Sequence, residues 1–332
     1  MANLKLRLLI GDYEIVQALR DGRVKAEGID FEFPHYPGAR DIHRQVAWDE
    51  ICDVGEFNGP AYVAAVSGRT TGRSWPMTAL PVFLHRRFRH GFIFVNRNVG
   101  IREPKDLIGK RIGNPTFQPA GNVWARGLLE NEYGVPHRSI TWVTQEPEII
   151  EFERPADLRI VQVAKGQNIE DMLISGEIEA IISPNLARGI TEGVPHIGRL
   201  WPHYRELEIE YYKRTGIFPI MHVTTIRRAL VEEHPWVVAS LMDAFEKAKR
   251  LAYRRMSNPR IVPLAWFQSY WDDEREFLGK DPWEYGVSEA NRRNLEVMMG
   301  YVHQQSMSGR LMTVEELFPP EALSWSSAGV KA

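Results

Sequence analysis

Apolar and polar positions alternate from Leu4 to Ile10 and again from Ile29 to Phe33, which predicts two strands. Between them Glu14 to Asp21 reads as a helix stopped by Gly22. Ile42 to Trp48 has helical spacing, and Cys52 to Val54 is a short strand with Gly55, Glu56, Phe57 and Asn58 at its C-terminal end. Pro60 stands in the first turn of a helix from Ala61 to Ser67. A polar loop covers 68–76, and Thr78 to Leu84 is a buried strand that runs into HRRFRH. GFIFVN (91–96) is another strand. Pro104 to Leu107 is a helical turn, and Asn122 to Tyr133 is a helix closed by Gly134. Strands at Ile140 to Val143, Ile160 to Val163 and Ala180 to Ser183 surround a helix from Ile169 to Ser175. The run GIFPIMHVTTIRR (216–228) is a strand with Ile220, His222, Thr224 and Ile226 on one face. Two long amphipathic helices follow, Pro235 to Arg255 and Asn291 to Gln305. Thr313 with Glu316 resembles a capping box before a short C-terminal helix.

Alternating strands and helices of this kind predict an α/β fold, a mostly parallel sheet with helices on both faces. Ligands of such sheets bind beyond the carboxyl ends of the strands. That rule selects Asp12 and Tyr13, Glu56 to Asn58, and His85 to His90. The loop from Asn114 to Gly121 feeds a helix N-terminus, whose unpaired N–H groups favour a carboxylate or phosphate.

Composition narrows the function classes. A chain of 332 residues has room for two packed domains, and its net charge of −2 gives no field that would draw nucleic acid. Cys52 is the only cysteine, so no internal disulfide can form. No apolar run reaches membrane length and MANLKLRLLIGDYE has no apolar signal core, so the expectation is a cytoplasmic protein with no membrane partner. HxxxH, HxH and CxxC pairs are absent, as are GxSxG and a P-loop. No metal ligands and no cofactor are therefore expected. A homo-oligomer is the base expectation for an enzyme of this size.

The run GIREPKDLIGKRIGNP, then DMLISGEIEAIIS, then HVTTIRRALVEEHPWVVASLMDAFEKA resembles the type II periplasmic-binding-protein architecture. The resemblance implies two α/β lobes with the ligand between them. Lobe 1 would be residues 1–95 with 220–332, and lobe 2 residues 96–219. GDYE, DGRVKAEGID, RRFRHGFIFVN, GIREPKDL, VWARGLL, EYYKRTGIFPIMHV and TVEELF resemble, more narrowly, the 4,5-dihydroxyphthalate decarboxylase family, which uses this fold as an enzyme. What that implies is removal of one carboxylate from a dihydroxylated aromatic diacid, giving a protocatechuate-like product. Members of that family carry a serine-rich run after the third strand, where this chain has GEFNGPAY.

Losing CO2 from an aromatic ring requires protonation of the carbon that bears the carboxylate, helped by a para hydroxyl that releases electron density. The protein must hold carboxylates, accept a phenolic proton and deliver a proton to carbon. A divalent metal could assist by binding a catecholic pair, but the chemistry does not require one. His222, with Glu56 and Asp12, is the expected proton-transfer set, because imidazole exchanges protons near neutral pH. Each has a structural alternative: a satisfied strand histidine for His222, a cap on the helix near Pro60 for Glu56, and a cap on the helix from Glu14 for Asp12. Arginine holds carboxylates bidentately, which makes Arg20, Arg86, Arg89 and Arg126 candidates, with His90 beside them. Arg126 has an alternative in a helical pair with Glu130. Gln118, Asn122 and Asn185 are expected hydrogen-bonding liners, and Trp124 a stacking face or a core residue. Two other functions compete with the decarboxylase reading. One is a solute-binding protein that holds an aromatic acid without turnover. The other is a pyrimidine-precursor synthase on the same fold, whose iron site would need more cysteine than this chain has.

Overall fold

The computed structural model of the chain describes residues 2–35, 39–49, 51–68 and 75–330. Residues 69–74 of the expected polar loop lie outside the described residues. The elements are β1 (Leu4–Leu9), α1 (Gln17–Arg20), β2 (Ile29–Glu32), α2 (Ala39–Arg44), β3 (Val54–Asn58), α3 (Gly59–Val66), β4 (Met77–Leu80), β5 (Ile93–Asn96) and β6 (Arg111–Asn114). They continue with α4 (Ala120–Tyr133), β7 (Thr141–Thr144), β8 (Ile160–Gln162), α5 (Ile169–Ser175), β9 (Ala180–Ile182), α6 (Arg188–Thr191), β10 (Ile197–Arg199) and α7 (Tyr204–Thr215). The last are β11 (His222–Arg227), α8 (Arg228–Glu233), α9 (Trp236–Met256), α10 (Phe267–Leu278), α11 (Glu289–Gln304) and α12 (Pro320–Leu323).

Two sheets result. The first has the order β2-β1-β3-β11-β4, with β1 parallel to β2 and β3, and β11 antiparallel to β3 and β4. The second has the order β10-β5-β9-β6-β7-β8, parallel among β9, β6, β7 and β8 and antiparallel at β5 and β10. β3, β5 and even the edge strand β4 are buried at every position, so all three are covered on both faces. The expected boundary at 95/96 falls inside β5, which pairs wholly within the second sheet.

The chain crosses between the sheets twice, through residues 81–92 and 216–221. The crossings run antiparallel beside each other: Arg87 N–H donates to Pro219 O at 3.2 Å, Met221 N–H donates to His85 O at 2.9 Å, and Arg86 bridges Ile220. β3 starts two residues later than the sequence suggested and takes in Glu56 and Asn58 as strand residues. His222 is the first residue of β11 rather than the middle of a strand. Asn58 caps α3, its Oδ1 accepting Ala61 N–H at 3.0 Å, so the capping role that was the alternative for Glu56 belongs to Asn58. Thr313 and Glu316 make half of the expected capping box, Thr313 N–H donating to Glu316 Oε2 at 2.8 Å. Among the described residues no helix is long and apolar enough to cross a membrane.

Candidate functional site

The antiparallel register of β3 and β11 sets His222 opposite Asn58 and Thr224 opposite Glu56. Glu56 and His222 thus share a face as diagonal neighbours, within reach of each other. His222 Nδ1 lies 2.5 Å from Glu56 Oε1. The same oxygen accepts the Tyr13 hydroxyl at 2.8 Å, and Oε2 accepts Gly11 N–H at 2.8 Å. Gly11 follows the end of β1, where an added Cβ would stand 2.5 Å from the Tyr13 ring and 3.0 Å from Glu56 Oε2. Only glycine lets that backbone N–H approach the carboxylate.

Glu56 is 1% exposed. Burial pushes its pKa up, yet the charge and hydrogen bond of His222, the nearby His43 and the Gly11 N–H together hold it below the usual carboxylate range. The site therefore keeps an anion inside the sheet. Two more imidazoles pack edge-on against His222, His43 at 4.6 Å and His85 at 4.8 Å between ring centroids. Burial first, and His222 second, push His43 down to about 3. Burial and the same neighbour lower His85 as well. Both flanking rings are neutral at neutral pH, which leaves His222 as the imidazole with a carboxylate partner.

Tyr13 and His85, stacked 6.3 Å apart, also line a cavity of about 770 Å³. Its other walls come from the crossings, α7, α9 and α10, and include Phe88, Phe92, Glu208, Trp271 and Trp283. Arg87 and Arg275 bring positive charge to it, lying over the rings of Phe92 and Trp271 at 5.1 Å each. His222 stands behind Tyr13 and His85 and does not itself line the cavity, but its side chain is 12% exposed, so the imidazole is not sealed in the core.

The other sequence candidates are scattered around this cluster. Asp12 lines the cavity, is exposed and bonds the Gln17 side chain; Tyr13, not Asp12, holds the N-cap position of the turn at Glu14. Arg20 donates to Ile10 O at 2.5 Å and lies over Phe33, tying down the end of β1. Arg86 is 5% exposed and spends its guanidinium on Asn291, Phe218 O and Glu284 O. Arg89 is buried against Gly121, with Met221 Sδ at 2.8 Å and no partner for Nη1. His90 sits among Trp201, Tyr211 and Tyr133, 3.9 Å from Glu208.

Four further candidates belong to α4 and the loop before it. Gln118 clamps Ile150 through both ends of its amide, at 2.6 and 3.3 Å. Asn122 donates to Thr116 O at 3.1 Å and leaves Oδ1 unpartnered. Trp124 is a core residue whose Nε1 donates to Ile220 O at 2.8 Å. Arg126 is 1% exposed, bonded to Gln305 Oε1 and Phe117 O and lying 3.7 Å over the Phe117 ring. The alternative pair with Glu130 does not form; Glu130 bonds His137 instead. Asn185 is exposed on the loop after β9. Sequence reasoning passed over His43 and Glu208, whose helices show no pattern pointing at a site. Tyr13 was within reach through the strand-end rule. Among the described residues no group of three or more His, Cys, Asp or Glu side chains is arranged to hold a metal ion.

No protein-family model matches the chain. Over 333 aligned residues it is 33% identical to the 4,5-dihydroxyphthalate decarboxylase of Comamonas testosteroni, covering 97% of this chain and 98% of that one. A 4,5-dihydroxyphthalate decarboxylase of Pseudomonas putida is 31% identical over 221 residues, 64% of this chain and 83% of the relative. Among solved structures, the periplasmic aliphatic sulphonate binding protein SsuA from Escherichia coli superposes with a TM-score of 0.55 at 11% identity, over 96% of this chain and 92% of that one. A variant of the desulfurization enzyme DSZB in complex with biphenyl-2-sulfinic acid gives 0.56 at 16% identity, over 96% and 97%. Identities this low speak for the fold alone, the two-lobed periplasmic-binding-protein arrangement. Near-complete coverage at one-third identity speaks for more, and the chain belongs to the 4,5-dihydroxyphthalate decarboxylase family.

Proposed function

We propose that this protein is a carboxy-lyase that removes CO2 from a hydroxylated aromatic acid of the 4,5-dihydroxyphthalate type, with His222 as its proton-transfer group. The observation that carries the reading is the ionised Glu56 bonded to His222 beside a cavity walled by aromatic rings. Family membership supplies the substrate class.

Glu56 is 1% exposed, does not line the cavity and bonds the protein through both oxygens, so this carboxylate does not reach a substrate. It acts through His222, fixing the orientation of the ring through their hydrogen bond, and is a positioning residue. The substrate ring lies in the cavity with its carboxylates toward Arg87 and Arg275. His222 delivers a proton to the ring carbon that bears the departing carboxylate, while Asp12 takes the proton of the para hydroxyl. The ring is then a dienone with one tetrahedral carbon. The bond to the carboxylate breaks, its electron pair restores the aromatic ring, and CO2 leaves. The phenolate recovers its proton from Asp12, and His222 is recharged from water. One proton is consumed for each CO2 released.

The test is incubation of the purified protein with 4,5-dihydroxyphthalate, following CO2 and the dihydroxybenzoate product by chromatography. Stoichiometric release of both is expected. His222→Ala should lower kcat by about 100-fold or more, the usual scale of a lost acid–base group, with the circular-dichroism spectrum unchanged. Saturable binding with the ligand recovered intact would instead make the protein a receptor for aromatic acids.

A further inference from the structure

Tyr13 and His85 join one wall of the cavity to the Glu56–His222 pair; α7 contributes another wall, and there the side chain at hand is Glu208. Its side chain is 14% exposed, Oε1 accepts Gly91 N–H at 3.3 Å, and His90 Nδ1 stands 3.9 Å away. His90 offers no compensating charge, because burial pushes its ring down to about 4. Arg89 and Arg87 on the crossing favour a carboxylate at this place. Arg275 and Glu274 on α10, with Asp12 and Glu14 across the cavity, are further charged or titratable groups that line it. Burial outweighs the arginines and raises Glu208 to about 7. A neutral carboxyl differs from a carboxylate in kind, since it has an O–H to donate.

We propose that Glu208 is a specificity-determining residue of the cavity: as a neutral acid it donates a hydrogen bond to a carboxylate oxygen of an aromatic diacid, and once ionised it repels that ligand. This rests on the reading that the cavity receives an aromatic acid, but it does not need turnover. Phthalate is a suitable probe, because without hydroxyl groups it cannot follow the dienone route and both its carboxyls are ionised above about pH 6.

Calorimetric titration of the full chain with phthalate from about pH 6 to about pH 9 should show affinity falling roughly tenfold per pH unit above neutrality. Glu208→Gln keeps the acceptor for Gly91 and cannot ionise, so its affinity should stay flat over the same range. A purely structural glutamate would leave the two pH profiles parallel. Parallel profiles, or no phthalate binding by the unaltered protein at the acid end, would overturn the assignment. The decarboxylase reading is judged separately, by CO2 from 4,5-dihydroxyphthalate: phthalate binding with the expected pH profile but no CO2 would leave Glu208 standing and sink the reaction.

Discussion

Glu56 occupies a position where a carboxyl would ordinarily be neutral, and its charge survives only because donors converge on it. Glu56→Gln preserves the shape and removes the charge, so the ring of His222 loses the carboxylate that orients it. The expected outcome is a kcat lower by about 10- to 100-fold, with the phthalate dissociation constant little changed. An effect confined to affinity would make Glu56 a ligand-holding group instead. His43 adds a stability signature. It is neutral in the folded protein, with a pKa of about 3 against an ordinary 6.5, so the unfolded chain takes up the extra proton between those values. Stability therefore falls as pH falls through that window, by up to about 1.4 kcal/mol per pH unit. The depressed Glu56 carboxyl acts in the same direction, since the stability it contributes is lost as pH falls through its folded value. Thermal midpoints of His43→Gln between about pH 7 and about pH 4 should fall less steeply than those of the unaltered protein; identical slopes would clear His43. His222 and Glu56 were legible because strand periodicity and the strand-end rule operate on single residues. His43 was not, since its nearness to His222 exists only once α2 packs beside β3. The arginines are harder to read for a related reason: a sequence shows their charge, whereas Arg86 and Arg126 are buried and bonded to neutral carbonyls and amides, each with one nitrogen left without a partner.

Among the elements, α4 and α11 show how packing can outweigh propensity. Gly127 lies in mid-helix on α4, and an added Cβ would fall 2.2 Å from the ring of Tyr301 on α11. That ring is also set edge-on against Trp124 at 5.4 Å, so it has little room to withdraw. Glycine to alanine gains about 1 kcal/mol in an open helix, but overpacking of a filled core costs about 1–3 kcal/mol. Gly127→Ala should therefore destabilise the protein by up to roughly 2 kcal/mol in urea titrations. In a Tyr301→Ala background the same change should become neutral or stabilising, and additive effects would show that the ring is not the obstacle. The elements that could be read from the sequence, α4, α5, α9 and α11, each carry a regular apolar stripe. Of those that escaped, α10 does carry one, in Phe267, Tyr270, Trp271, Phe277 and Leu278, and the others lack one. α7 buries only Tyr211, α10 buries no residue, and β10 is three residues long. The end of β3 was misplaced because Glu56 and Asn58 look like loop residues until their partners are known.

On the scale of the whole molecule, one apolar cluster runs through both sheets. It joins Leu6, Val54 and Val223 of the first to Val95, Ile112 and Trp142 of the second, through Trp124 of α4 and Leu295 of α11. Trp48 Nε1 donating to Ile149 O at 2.9 Å and Trp124 Nε1 to Ile220 O at 2.8 Å add polar ties between the segments that meet there. The two-lobed plan was legible through resemblance, but a shared core of this extent was not, because it depends on how the lobes meet. Two halves with one core should unfold together, so tryptophan fluorescence and far-ultraviolet circular dichroism should trace the same single urea transition. A smaller cluster of Phe94, Val143, Ile169, Leu173, Ile181 and Ile197 lies apart from that core and holds α5. Native-state hydrogen exchange should thus find the amides of α5 opening at a lower free energy than those of β3 and β11. Two separate urea transitions would mean that the lobes are stable independently despite the shared core. Equal exchange free energies in α5 and β3 would mean that the small cluster opens only with the rest of the molecule.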